Sequence, residues 1–403
     1  MARVLLLLPT STYRATDFVR AAARLGVDVV VGSEERQALA DDMGDRALLV
    51  PMANIEASVA AILDLHARSP LDAVVAVDDP GVEVAALAGE RIGFPHSDPA
   101  AVAATRDKAA MRDELARAHV PQPRFRIVDD VADGLAAATR DVGFPCVLKP
   151  VGLSASRGVI RADDAAAARA AADRILAITA PPLLVEQYVP GVEVAVEGLL
   201  RAGDLEPLAV FDKPDPLVGP YFEETIYVTP SRLPPATIAA VVDLTARAGR
   251  AVGLTEGPIH AELRVGGNGT GAIRVIEIAA RSIGGLCART LRFGAGIALE
   301  ELILRHALRL PLDDLAREAA ASGVMMLPIP RAGVLEAVHG EDAARAVPGV
   351  TGLEITVPRG RRVVPLPEGD RYLGFLFARG DTPDAVETAL RSGYAALDVV
   401  VSS

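Results

Sequence analysis

HAELRVGGNGTGAIRVIEIAARSIGG, residues 260–285, decides how this chain is read. Two strand-like runs, HAELRV and IRVIEI, flank a glycine-rich turn, so the stretch predicts a β-hairpin. Closing the loop symmetrically on Val265 and Arg274 sets Glu262 opposite Glu277. Directly opposed side chains share a face about 5 Å apart, and two like charges there repel. Either Arg281 or a shared proton neutralises a structural pair, or the two carboxylates form an oxygen site for Mg²⁺. The hairpin alone leaves both readings open, and the rest of the chain has to decide.

At 403 residues the chain is too long for one ordinary core, which predicts two or three domains. A hydrophobic share of 51% beside 23% charged residues is that of a globular protein. The opening MARVLLLLP is too short an apolar run for a signal peptide or a span, which predicts a cytoplasmic protein without a membrane partner. Cys146 and Cys287 have no CxxC spacing, and the histidines are scattered, which argues against disulfides and zinc. A net charge of −12, 4% aromatics and no tryptophan disfavour nucleic acid. Of the 41 Lys and Arg residues, lysine stands only at 108, 149 and 213. In so arginine-rich a chain, a lysine is expected where a compact ammonium is needed and a planar guanidinium will not do.

Residues 1–100 alternate continuous apolar strands with helices, the pattern of a doubly wound parallel α/β unit. Its first turn, PTSTYR, carries no dinucleotide fingerprint. Asp78 and Asp79 close a strand at what would be a carboxyl-end crevice, where two acids can contact substrate, although a solvated turn is the first reading. The stretch from Ser97 to Val120 reads as a helix with a solvated Lys108. Residues 124–190 form a small α/β piece in which Lys149 ends a strand before GLSASRGV. That serine-glycine loop suits phosphate oxygens, although it is neither a Walker loop nor a nucleophile elbow. EQYVPGVE adds Glu186 and Glu193, which by themselves read as solvent-facing strand acids. Lys213 and Glu223 or Glu224, in a long Pro-rich loop, are candidates for substrate contact or lid closure. His260 reads as a satisfied core histidine and Cys287 as packing.

The order Lys108, Lys149 with its serine-glycine loop, Glu186, Glu193, Glu262, then Glu277 with Arg281 resembles the ATP-grasp ligases over about 200 residues. The resemblance implies an N-terminal α/β domain at 1–100, an ATP-grasp domain at 101–310 with a lid at about 120–190, and a small α/β C-terminal domain at 311–403. It also implies ATP as substrate, with one or two Mg²⁺, or Mn²⁺, as cofactor. Lys108 and Lys149 would bind phosphates, and the loop Gly152 to Gly158, with Ser154 and Ser156, would close over them. Glu186, Tyr188 and Val189 would line the adenine site, and Glu193 would hold the ribose. Glu262 and Glu277 would hold the metal. Of the two catalytic candidates, Arg281 would stabilise the transferred phosphoryl group and the acyl-phosphate oxygens, and Lys149 would face the α-phosphate and the adenine.

Most ATP-grasp ligases carry asparagine two residues after the second metal glutamate, and here that residue is Ala279. The L-amino-acid ligases have a similar alanine-bearing motif. The resemblance therefore implies a carboxylate–amine ligase working on small molecules, with homodimers common in the family. The alternatives are a carboxylase-like or formate-activating enzyme and a non-catalytic ATP-binding regulator.

Overall fold

The computed structural model describes residues 1–36, 40–312 and 314–402. The run VLLLL near the N-terminus is continuously apolar because its strand is covered on both faces. Leu5 and Leu7 pack with Ile62 and Val84, whereas Val4 and Leu6 pack with Phe18 and Ile303. This strand, Arg3–Leu7, sits in a parallel sheet between Asp28–Ser33 and Ala73–Ala76, with Ala47–Leu49 outermost. The strand order therefore reverses between Arg3–Leu7 and Ala73–Ala76. At such a switch point the loops leaving the two carboxyl ends part to form a crevice.

The stretch read as one helix from Ser97 is two, Pro99–Arg106 and Lys108–Arg117. Asp107 breaks it, because its extended backbone lets its carboxylate cap the second helix at the N–H groups of Ala109 and Ala110. Lys108 thus opens a helix instead of lying on a solvated face, and it is buried.

The central sheet has eight antiparallel strands. In spatial order they are Ile273–Ala279, Gly257–Val265, Val192–Arg201, Asp204–Lys213, Ile226–Thr229, Ala321–Leu327, Gly374–Gly380 and Val350–Ile355. The last three come from the C-terminal segment, which extends this sheet and adds a small sheet of Gly333–His339, Arg362–Val363 and Asp398–Ser402. Helix Pro235–Val252 packs on one face of the central sheet, while Leu299–Ala307 and the N-terminal sheet lie on the other. A separate antiparallel sheet holds Phe125–Val128, Leu183–Gln187, Cys146–Pro150 and Ile160–Ala162. Helices Val131–Val142 and Ala165–Leu176 cover it.

Glu262 does pair with Glu277, by a route that symmetric loop closure misses. Near the turn Arg264, not Val265, faces Arg274, and an extra residue between Val275 and Glu277 shifts the register back. Such a bulge re-aims side chains and is frequent beside active sites. Gly285, the last of the quoted stretch, has φ +59°, and a Cβ there would meet the Phe375 ring at 2.8 Å. The chain needs glycine at this position on both counts.

Among the described residues, no helix is long and apolar enough to cross a membrane. One buried ion pair fastens the N-terminal unit: Arg14 lies 3.1 Å from Glu300, both side chains at most 3% exposed, and donates to Ser282 Oγ at 2.8 Å. Removing one partner of such a pair strands a buried charge, typically at about 3–5 kcal/mol. Arg14→Met should therefore lower the urea midpoint markedly, and Arg14→Met with Glu300→Leu should recover most of the loss.

Candidate active site

A cavity of about 1010 Å³ opens where the three larger sheets converge. Its walls come from the N-terminal switch-point loops, the 125–187 sheet, the Glu262–Glu277 hairpin and the C-terminal loop around Thr356 to Tyr372. Of the residues expected from sequence, Lys108, Lys149, Ser154, Ser156, Glu186, Tyr188, Val189, Glu193, Glu262, Glu277 and Arg281 line it. Gly152 and Gly158 lie in the same loop but do not face the cavity.

Lys149 and Glu186 come from adjacent strands, with Lys149 Nζ 2.7 Å from Glu186 Oε2. Arg112 Nε takes the other carboxylate oxygen at 2.5 Å. Burial alone would raise the Glu186 pKa, but Arg112 and Lys149 outweigh it and hold the group at about 2. Glu186 thus stays ionised and fixes the lysine ammonium at the cavity wall. Its carboxylate is not a free adenine contact, since both oxygens are engaged.

Lys108 Nζ donates to Leu153 O at 2.7 Å and lies 3.5 Å from Glu277. It ties the serine-glycine loop to the hairpin. Within that loop Ala155 and Ser156 both have φ near +55°. Side chains rarely adopt that conformation, and such strain, about 1–3 kcal/mol per residue, clusters at ligand clamps. Gly158 N–H donates to Pro367 O at 2.9 Å and Arg157 to Glu368 O at 3.1 Å, so the loop rests on the C-terminal segment.

The two hairpin acids differ in their surroundings. Glu262 Oε1 lies 3.1 Å from Lys213 and 3.5 Å from His260 Nε2. Lys213 also holds Glu193, at 2.8 Å, and Glu224. Oxygens of Glu193, Glu224 and Glu262 all lie within 4.8 Å of one another. Burial and the Glu262 charge push the Glu224 pKa up. For Glu262 burial is outweighed by Lys213 and His260, which keep it ionised. His260 is more than a packed core residue. Burial would lower its pKa, yet Glu197 and Glu262 carry it to about 9, so it is charged at neutral pH. Glu193, Glu224 and Glu262 thus form an all-oxygen donor group of the kind hard divalent cations take, while Glu277 lies outside that group, beside Lys108. Of the two acids expected to hold a metal, Glu262 belongs to that group and Glu277 stands opposite it in the hairpin.

Arg281 follows the second strand and meets the N-terminal domain, with its Nε 2.8 Å from Asp79. Asp79 is also 3.2 Å from Arg106. Burial would raise Asp79, but Arg281, then Arg106 and Lys108, pull it down to about 2. The Asp78–Asp79 turn is therefore no solvated turn, because the packing of the hairpin end against it turns it into a cavity wall. Cys287 is buried, as expected of a packing residue, and burial pushes its thiol well up.

Sequence reading passed over Arg112, Arg264, Glu197 and Thr12. Arg264 Nε holds Glu193 at 2.7 Å and its Nη1 donates to Val189 O at 2.8 Å. Periodicity carried a signal for three of them. Arg112 is one helical turn past Lys108, Arg264 is two residues beyond Glu262 on a strand, and Glu197 is four beyond Glu193. Thr12 had none, since its neighbours in space are remote in sequence.

Comparison with known proteins agrees with this geometry. Family models match residues 19–96 as an ATP-grasp N-terminal domain, 142–290 as an ATP-grasp domain and 325–402 as L-amino acid ligase C-terminal domain 2. An uncharacterized protein of Sinorhizobium fredii is 26% identical over 314 residues, 77% of this chain and 64% of the relative. The alanine–anticapsin ligase of Bacillus subtilis is 27% identical over 256 residues, 58% of this chain and 53% of the relative. The chain thus spans between half and two thirds of these relatives' lengths. The crystal structure of an L-amino acid ligase from Bacillus licheniformis superposes with a TM-score of 0.81 at 23% identity, covering 100% of this chain and 99% of that one, a likeness of fold. Three successive family matches make one conclusion: the chain carries an ATP-grasp domain at its centre, preceded by an ATP-grasp N-terminal domain and followed by an L-amino acid ligase C-terminal domain.

Proposed function

We propose that this protein is an ATP-dependent carboxylate–amine ligase acting on amino acids. The observation that carries the proposal is the convergence on one cavity of two buried lysines, a strained serine loop, opposed glutamates and Arg281. The alanine–anticapsin ligase relative, whose name describes the joining of an amino acid to a second molecule, supports the same chemistry.

In the proposed reaction a carboxylate oxygen attacks the γ-phosphorus of ATP, the bond from that phosphorus to the β,γ-bridging oxygen breaks, and ADP leaves. An amine nitrogen then attacks the acyl carbon, the bond to the phosphate oxygen breaks, and the amine proton is lost as the amide forms. The protein's part is positioning and charge neutralisation. Lys149, fixed by Glu186, and Lys108, fixed by Leu153 O and Glu277, present ammonium groups to the phosphates. Glu262 and Glu277 would hold Mg²⁺, which when bound neutralises phosphate charge. Arg281, oriented by Asp79, faces the oxygens on which charge builds.

Ala279 fits this reading. It lies directly opposite His260 in the hairpin and is 5% exposed, so the large histidine and the small alanine share one space. His260 in turn bonds Glu197 and approaches Glu262. The position that carries a metal-ligand asparagine in related ligases is thus packed against an ion-paired histidine.

The direct test is ADP and phosphate release from Mg-ATP over L-amino acids singly and in pairs, beside bicarbonate and formate. Release that requires particular amino acids, with an amide product by mass, is expected. Release with bicarbonate or formate alone would move the protein to carboxylase-like chemistry, and ATP binding without release under any acid would make it a binder. Arg281→Ala should lower kcat by about 10²- to 10³-fold, as for loss of one oxyanion donor, with little change in the KM for ATP. Ala279→Asn should cost about 1–3 kcal/mol through overpacking against His260 and bring no gain in turnover, as thermal melts and the same assay would show.

A further inference from the structure

Eight carboxylates line the cavity: Asp78, Asp79, Glu186, Glu193, Glu224, Glu262, Glu277 and Asp370. Seven of them have a lysine or arginine nitrogen within 4 Å. Asp78 alone has none among the described residues. Its side-chain partner is the Thr12 hydroxyl, which donates to Oδ2. The cations that act on it from farther away, Arg14 and Arg281, are committed to Glu300 and Asp79. A carboxylate largely withdrawn from water without a counter-ion is costly, and its pKa is accordingly raised, by burial first. Its place matters as well. Asp78 leaves strand Ala73–Ala76 and Thr12 follows strand Arg3–Leu7, so the pair stands at the crevice where the parallel sheet reverses order.

We propose that Asp78, oriented by Thr12, receives the ammonium group of the amino acid whose carboxylate is activated, an inference that rests on the ligase reading above. Two arguments choose this ammonium over that of the attacking amine. Arg281, held by Asp79, acts on Asp78 through space without touching it, so cation and anion stand a short gap apart at one part of the cavity. An α-amino acid likewise separates its ammonium from its carboxylate by one carbon, so a carboxylate beside Arg281 carries its ammonium toward Asp78. The attacking amine must also reach the acyl carbon unprotonated, whereas a carboxylate partner favours the protonated form. Bound at Asp78, the donor's own amine stays an ammonium and is not a nucleophile. The site therefore selects an α-amino acid as the acid substrate and places it at the amino end of the product.

The test compares each amino acid with the acid lacking its amine: L-alanine with propionate, and L-valine with isovalerate. Binding to the full-length protein is measured by calorimetry with Mg²⁺ and a non-hydrolysable ATP analogue, so that turnover is not required. Wild type should prefer the amino acid in at least one pair, and Asp78→Asn should shrink that preference on the order of tenfold or more. A general loss of packing would weaken both members of a pair alike and leave the ratio unmoved. Equal binding within both pairs by wild type, or an unchanged ratio in Asp78→Asn, would overturn the proposal. Should Asp78→Asn not fold, Thr12→Val keeps the charge while freeing the carboxylate, and a ratio unmoved there counts equally against it. Failure of the ligase reading looks different: amino acids bind with the expected preference, yet no acid elicits ADP release.

Discussion

Charge taken out of water must meet opposite charge, and in this molecule that requirement is met mostly between elements far apart in sequence. Glu186 is neutralised by Arg112 from the helix beneath it and Lys149 from the adjacent strand. Arg281, at the end of the hairpin, is neutralised by Asp79 of the N-terminal unit, and Arg14 of that unit by Glu300 of a central helix. Each pair is also a fastening between units. The cavity exists because the units converge on it, and their convergence is what satisfies most of the charges lining it.

Such an arrangement is not an efficient route to stability. Desolvating a carboxylate and an ammonium costs several kcal/mol per ion, and apolar replacements of similar volume are often at least as stable. Concentrating carboxylates, lysines and arginines around one void makes sense for a protein that receives a polyanion and its counter-cations. The hairpin shows the same logic locally. Its bulge interrupts regular pairing, yet it returns Glu262 and Glu277 to opposed positions, one beside Lys213 and the other beside Lys108.

What the sequence disclosed follows from how local each feature is. The hairpin, the serine-glycine loop and the alternating N-terminal unit are written in contiguous residues, and Glu262, Glu277, Arg281, Ser154 and Ser156 of the lining could be named from them. The break at Asp107 was hidden because helical spacing runs through it and only the capping geometry reveals it. Asp78 and Asp79 could be placed at a crevice from sequence, but their partners, Thr12 and Arg281, were hidden because they come from other parts of the chain. Likewise, no local pattern announces that strands near residues 325, 352 and 377 complete a sheet begun at residue 192. Edge-to-edge strand joining depends on unpaired backbone groups at both edges, which side-chain patterns do not record.

Lysine usage joins the two levels. In a chain that otherwise uses arginine, all three lysines are buried and all three touch the site's carboxylates: Lys108 at Glu277, Lys149 at Glu186, and Lys213 at Glu193, Glu224 and Glu262. Lys213 shows why arginine would not serve. Its one nitrogen lies among three carboxylates arriving from separate strands and a loop, a convergence that suits a small tetrahedral donor and not a planar fork. Arg264 takes the complementary task, reaching Glu193 with one edge and the carbonyls of Val189 and Leu217 with its other nitrogens. The choice between the two cations at each position is thus set by the shape of the space its partners leave, and a compositional oddity becomes a map of the site.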